Sequence, residues 1–333
     1  MWVCYKVLLK ACAPIHIGYG AKLGIVDKTR YYIPAKNIWG ALTNLITKSA
    51  MNNGSPKLYF KIGEELRRNM KFSYFYPAEY REVDDEEIEV KQVFAPLYTE
   101  NGLRFGIRKD EKQVDLMEFE RIFISSLVST AIDKSSRSAE EGSLHEIEFI
   151  KDKIKFKQDK GPKPAVFIGY FFTKSNPLKV NLSNGLSVEI LFERDSIKIN
   201  GTSLDEIWVG GERNYGFGKL KIRKLSEEIP KDGKIDLFNS GIKVDMTKEQ
   251  LTVLGEGNWI IALSHVNVEG LDIEFIRGDI EPLVGREWSE KGSGQRVSQK
   301  AKICIAPGSQ FKCRNSIYMG DFGIWESKPN FHY

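Results

Sequence analysis

Cysteine is scarce in this chain, and long apolar runs are missing. Among 333 residues only Cys4, Cys12, Cys304 and Cys313 carry thiols. Separations of eight and nine residues within the two pairs match no zinc-ligand spacing, and four scattered thiols do not make a secreted disulfide framework. No apolar stretch approaches the roughly 20 residues of a membrane span, and the N-terminus lacks the basic-then-apolar order of a signal peptide. The expectation is a reducing, cytoplasmic setting with no membrane contact. A large excess of one charge is lacking too: 49 basic against 45 acidic side chains leave +4, too little to announce nucleic-acid binding. Also missing are the Gly-x-Ser-x-Gly elbow, the His-Glu-x-x-His helix and a cysteine-nucleophile context. His145, His265 and His332 form no recognisable constellation. Neither a metal site nor a cofactor is expected.

The charge that is present is unevenly spread. Residues 151–179 hold eight lysines against two aspartates, whereas 82–89 hold six carboxylates in eight positions. Two solvated loops would look like this. So would one surface facing RNA and another that repels RNA or meets a basic partner. Hydrophobic content of 41% with 28% charged residues is ordinary for a globular chain, and this length predicts two domains.

The densest cluster of informative residues is Gly210-Gly211-Glu212-Arg213-Asn214-Tyr215-Gly216-Phe217-Gly218, read as lying between a helical segment and a strand at 219–223. Glycines permit φ > 0 and close backbone approach. Arg213 can fork onto a phosphate, and Tyr215 or Phe217 can offer a stacking face. The loop lacks the Gly-Lys-Ser/Thr ending of a P-loop and precedes a strand instead of opening a helix, which excludes the usual ATP or NAD cradle. The same composition also suits a turn that simply reverses the chain.

Periodicity supplies the elements around this loop. Val3 to Ala11 alternates as a strand. Ile38, Leu42, Leu45 and Ile46 give a helix from about Asn37, with Asn37 as its cap. Leu116, Phe119, Phe123 and Leu127 stripe a second helix over 115–132, capped by Asp115. Strands are expected at 146–150, 165–172, 187–193, 259–263 and 302–306, with a loop at 290–300 that includes Arg296. The pattern is α+β, β-α-β-β-α-β with insertions. The polar stretch 226–234, holding Pro230 and Gly233, marks a boundary between domains at 1–225 and 235–333.

Three segments in order carry a family resemblance. Pro14-Ile15-His16-Ile17-Gly18-Tyr19-Gly20 leads to Tyr32-Ile33-Pro34-Ala35-Lys36-Asn37-Ile38-Trp39-Gly40. Ala131-Ile132-Asp133-Lys134 continues through Glu140-Glu141-Gly142 to Glu148, and the glycine-rich loop follows. Together they resemble the RAMP superfamily, the CRISPR-associated proteins that hold guide RNA in effector complexes; the middle segment is similar to type III members. Gly285-Arg286-Glu287-Trp288 with Ala306-Pro307-Gly308-Ser309 resembles the ending of two-domain subunits that cap the guide's 5′ handle, as in a type III-D-like complex. Ala35, Asn37 and Trp39 depart from the family's turn, and Trp39 stands where a lysine is usual.

The resemblance implies two ferredoxin-like, RRM-like domains with antiparallel sheets, and a non-catalytic subunit that binds guide RNA, neighbouring RAMP subunits and a large polymerase-like subunit. The RNA contacts it implies are His16, Lys22, Arg30, Lys36, Gly210, Gly211, Arg213, Tyr215, Gly216, Phe217, Gly218 and Arg296. Two enzymatic alternatives stand beside it. Asp27 matches in position the aspartate of RNA-slicing backbone subunits, where a carboxylate binds Mg²⁺ beside the target phosphate. His16, with Tyr19 and Lys22, imitates the acid–base set of guide-processing ribonucleases.

Overall fold

Strand β1, Val3–Ala11, lies at the centre of a seven-stranded sheet because both of its faces are covered: Tyr5, Val7, Leu8 and Leu9 are all buried. The computed structural model describes residues 2–19, 25–50, 56–83, 88–107, 112–182, 187–255, 259–289, 292–297 and 301–327, with only the backbone described at 286–289 and 292–297. The short strand β2, Val26–Asp27, follows β1. Helices α1, Ala35–Ala50, and α2, Pro56–Asn69, come next, then β3 Met70–Phe72, β4 Tyr76–Glu82 and β5 Ile88–Val93. Helix α3, Leu116–Phe123, leads into a hairpin of β6, Ile124–Ser129, and β7, His145–Ile150. The first sheet is completed by β8 Val166–Thr173, β9 Glu206–Trp208 and β10 Lys219–Glu228.

The sheet is antiparallel, in the order β9-β10-β1-β8-β4-β5, with β3 also paired to β8. Every residue of β8 is buried, as expected of a strand covered on both faces. Gly169 is required there: a Cβ at that position would lie 2.5 Å from the Phe75 ring. On α1 the buried Ile38, Leu42 and Ile46 form one stripe. Trp39 packs α1 on α2, with its indole N–H donating to Gly63 O at 2.9 Å and its ring where a Gly63 side chain would stand.

Several expectations need correcting. Helix α1 begins at Ala35, so Asn37 lies within its first turn and does not cap it. Asp115 does cap α3, accepting the Glu118 N–H at 2.8 Å, but that helix ends at Phe123. Residues 124–129 pair with β7 instead, from Ile124↔Ile150 to Ser129↔His145, because Ile, Val and Ser are weak helix formers and a strand partner is available. Among the described residues the second crossover, between β8 and β9, carries no helix; 178–181, 187–192, 197–199 and 202–204 pair in order as four antiparallel strands.

Beyond β10 the described residues form strands and 3₁₀ turns, with no α-helix in 234–327. An eight-stranded sheet runs from Lys234–Asp236 to Ile280–Leu283, beside a three-stranded sheet centred on Gln310–Cys313. Residues 292–297, expected in a loop, form a hairpin with 286–289. The last strand of the first sheet, β10, reaches Glu228, three residues past the expected end of the first domain. One continuous apolar core joins both halves. Polar contacts cross between them: Tyr76 donates to Leu263 O at 3.0 Å, the Phe238 amide donates to the Tyr170 hydroxyl at 3.0 Å, and Lys71 meets Asp321 at 2.7 Å. Among the described residues no helix is long and apolar enough to cross a membrane.

Candidate nucleic-acid interface

The glycine-rich segment is the turn of the β9–β10 hairpin, so a strand and not a helix precedes it; Trp208 pairs with Lys219 just outside it. The Val209 amide donates to Gly218 O at 2.9 Å and closes the turn. Two further amides pin it to the segment after β1, Gly211 N to His16 O at 3.0 Å and Gly218 N to Pro14 O at 2.7 Å. These contacts explain two of the glycines. At Gly210 (φ +72°) a Cβ would lie 2.1 Å from His16 O, and at Gly218 (φ +89°) the same distance from Val209 O. Backbone cannot yield at such distances.

Four of the loop's amides are therefore not available to cradle a phosphate. Those of Gly211 and Gly218 are spent on the segment beneath, and those of Tyr215 and Gly216 close the 3₁₀ turn Arg213–Tyr215. Phe217 is corrected as well: it is buried with its ring packed edge-on against Phe149, so it has no free stacking face. The tip presents side chains instead. Tyr215 is 51% exposed. Arg213 is exposed, with one guanidinium N–H donating to Trp208 O at 3.1 Å. Its charge also reaches Tyr59 on α2, where burial pushes the phenol up and Arg213 pulls it partly back. Trp208 is partly exposed, and the Lys219 ammonium lies 5.6 Å from its ring centre. Sequence reasoning missed Trp208 and Tyr59. An aromatic two residues before a glycine pair was the available signal for the first.

His16 lies under this loop, 4% exposed. Its Nδ1 is 2.7 Å from Glu148 O, and only a protonated nitrogen can face a carbonyl, so Nδ1–H donates. Its Nε2 faces Asp27 Oδ1 at 3.8 Å, beyond hydrogen-bond reach. The fold thus brings together the two catalytic candidates that sequence reading had assigned to rival mechanisms. It also withdraws His16 from direct RNA contact, since its ring is covered. Asp27 lies in the short strand β2, paired in parallel with Ile147, and not in a loop.

Arg30, expected on RNA, is committed inside the protein. Both ends of its guanidinium meet Glu281, and Nη1 also donates to the Tyr32 hydroxyl at 3.1 Å. Burial opposes its charge, yet Tyr32 and Glu281 outweigh that and hold its pKa above the usual guanidinium value. Lys36 is exposed at the start of α1, its ammonium 5.7 Å from the Phe322 ring centre. Lys22 lies outside the described residues, and so does the side chain of Arg296. Residues 84–87 of the acidic run also lie outside them. Among the described residues no three His, Cys, Asp or Glu side chains gather as a metal would require.

Comparison with known proteins yields a family. The sequence model of the RAMP superfamily matches residues 8–221, spanning β1 through the glycine-rich turn. Among solved structures, chains of the type III-B Cmr-beta are similar. One is bound to cognate target RNA and AMPPnP (12% identity, TM-score 0.45) and one to cognate target RNA (14%, 0.46); each match covers 92% of this chain and 86% of the other. No curated protein matches the chain.

Proposed function

The chain belongs to the RAMP superfamily, and from that premise we propose that it is a non-catalytic subunit of a type III CRISPR effector complex that grips guide RNA. The observation that carries this reading is the exposed tip of the β9–β10 turn. Arg213 and Tyr215 are exposed beside Trp208, on a loop braced by two amide hydrogen bonds to the chain beneath. A guanidinium for phosphate and an aromatic face for a base are what single-stranded RNA requires, and a braced loop delivers them without an ordering cost. The type III assignment rests on the similarity of 131–148 to that group.

The reading takes residues 1–225 as a ferredoxin-like RNA-gripping unit. Residues 235–333 then serve as the unit that meets the large polymerase-like subunit and helps enclose the 5′ handle. It treats His16 as a brace and Asp27 as its neighbour. The test is purification of the tagged protein from its native host, with bound RNA sequenced and attached proteins identified. Guide RNA carrying a common 5′ handle, with a polymerase-like protein and other RAMP chains, is the expected result. Recovery with neither RNA nor such partners would refute the assignment.

A further inference from the structure

A second basic feature lies just past β7, apart from the glycine-rich turn. From Lys153 to Lys157 the chain alternates: Ile154 and Phe156 are buried, whereas Lys153, Lys155 and Lys157 are exposed. Lys153 lies in the two-residue strand Lys153–Ile154, Lys155 follows it and Lys157 sits in the turn beyond, so the alternation puts the three lysines on the exposed side of one short segment. With Arg121 and Lys151 they line a cleft of about 390 Å³ floored by Ile154 and Phe156.

The cleft is built from fixed parts. Lys151 closes its inner end, with Nζ donating to Arg121 O at 2.8 Å and its amide to Phe123 O at 2.8 Å, at the carbonyl end of α3. That placement is favourable for a cation. Burial, and to a smaller extent the Arg121 charge, pull the Lys151 ammonium below its ordinary pKa. Among the described residues one carboxylate, Glu118, pairs with the cluster, 3.7 Å from Arg121 and 3.4 Å from Lys157. Among the described residues neither Lys153 nor Lys155 has an ion-pair partner. Five cations against one carboxylate over an apolar floor focus a positive potential into the cleft.

We propose that this cleft holds the phosphate backbone of single-stranded RNA, continuing the path that starts at the β9–β10 turn. The inference rests on the RNA reading above. Strand β7 joins the two places. Its Glu148 carbonyl holds His16, its Phe149 ring supports Phe217 of the turn, and Lys151 follows two residues later. A phosphodiester chain carries one negative charge on every residue, which suits a run of lysines at every second position; the carboxylates of an acidic protein segment have no such fixed repeat.

The experiment titrates a fluorescein-labelled, unstructured single-stranded RNA against wild type, Lys153→Ala/Lys155→Ala, Lys153→Arg/Lys155→Arg and Arg213→Ala over a series of salt concentrations. Each single-strand phosphate contact contributes about 0.7 to the slope of log affinity against log salt, so losing two should flatten it by roughly 1.4. The alanine pair is expected to bind about tenfold more weakly at low salt, and the arginine pair like wild type. Both lysines are exposed, so unfolding midpoints should match. Wild-type affinity and slope for the alanine pair, with binding by Arg213→Ala reduced, overturn the cleft and leave the turn standing. Unchanged RNA binding with weakened poly-glutamate binding assigns the cleft to an acidic protein and overturns the proposal. A wild type that binds no RNA defeats both readings.

Discussion

Arg30 and Glu281, 251 positions apart in sequence, are joined by a two-pronged ion pair that ties the segment after β1 to the strand Ile280–Leu283. Their side chains are only 10% and 16% exposed. Glu281 also accepts the Nε2–H of His265 at 2.9 Å, and His265 Nδ1 accepts the Tyr74 hydroxyl at 2.7 Å. Burial pushes the Glu281 carboxyl up, but hydrogen bonds from His265 and Arg30, with the Arg30 charge, prevail and hold it at about 2. A carboxylate ionised in this way fixes the neutral His265 tautomer, because Nε2 must carry the proton. The network is a polar latch between the two halves of one core.

Removing one member of a buried pair strands the other, which costs about 3–5 kcal/mol. Arg30→Ala is therefore expected to lower the urea midpoint sharply, while RNA affinity of the folded protein stays near wild type. Arg30→Lys should rescue little, since an ammonium cannot bridge both carboxylate oxygens. Weakened RNA binding with unchanged stability would return Arg30 to the RNA surface.

The latch also sets an acid limit. Glu281 falls from an ordinary value of 4.5 to about 2 on folding, so its stabilisation, on the order of 3 kcal/mol, is present above pH 4.5 and lost as pH falls through about 2. His265 acts in the same direction. Burial, only partly offset by Glu281, depresses its pKa, so stability is lost as pH falls below the ordinary imidazole range. Melting temperature followed against pH should drop steadily on acidification, and Glu281→Gln should flatten the lower part of that curve. An identical curve for the variant would rule out the latch as its cause.

These effects were invisible in sequence, where Arg30 was one basic residue among several near a resembling motif. Periodicity finds elements whose own residues decide them: β1 matches residue for residue, and the Asp115 cap stands where its carboxylate can reach Glu118. It fails where a partner decides. Residues 124–129 continue the stripe of α3, yet β7 claims their backbone. Helix α2 has a stripe, Leu58, Ile62 and Leu66, that is diluted by seven polar or charged neighbours, which hides it from periodicity. The glycine-rich turn was legible as a special backbone. Which of its glycines serve conformation, and which amides are spent, depended on the segment beneath it.

The glycines separate structure from function. Gly210→Ala and Gly218→Ala each drive a Cβ into a carbonyl oxygen and hold an L-residue at φ > 0, so each should cost at least about 2 kcal/mol. Gly216 also has φ +80°, but nothing lies within 4 Å of its absent Cβ. Gly216→Ala should cost only about 1 kcal/mol. Chemical denaturation of the three variants checks the order; equal losses would mean that close packing against the His16 and Val209 carbonyls does not set the cost.

At the tip the expectation reverses. Arg213→Ala and Tyr215→Ala should leave the unfolding midpoint within about 0.5 kcal/mol of wild type. Each should weaken single-stranded RNA binding, the arginine by roughly tenfold or more through a lost charge-assisted contact and the tyrosine by about 1–3 kcal/mol of stacking. Phe217→Ala should do the opposite, unfolding the turn through its lost packing on Phe149. Loss of stability in the tip variants with RNA affinity intact would make the turn purely structural.

His16 and Asp27 face each other 3.8 Å apart beneath the turn. A general base must come within about 2.6–3.2 Å of the proton it takes; His16 is covered, and its Nδ1 is already bound to Glu148 O. His16→Ala should therefore act through the turn, lowering stability and RNA affinity together, whereas His16→Asn, whose amide can still donate to Glu148 O, should recover much of both. Asp27→Ala should leave RNA affinity unchanged, and an assembled complex containing it should cleave target RNA at the same positions and rates as wild type. Assembly with loss of one regularly placed cut, restored by no change of salt, would identify Asp27 as the carboxylate that serves cleavage and replace the non-catalytic reading with a slicing one.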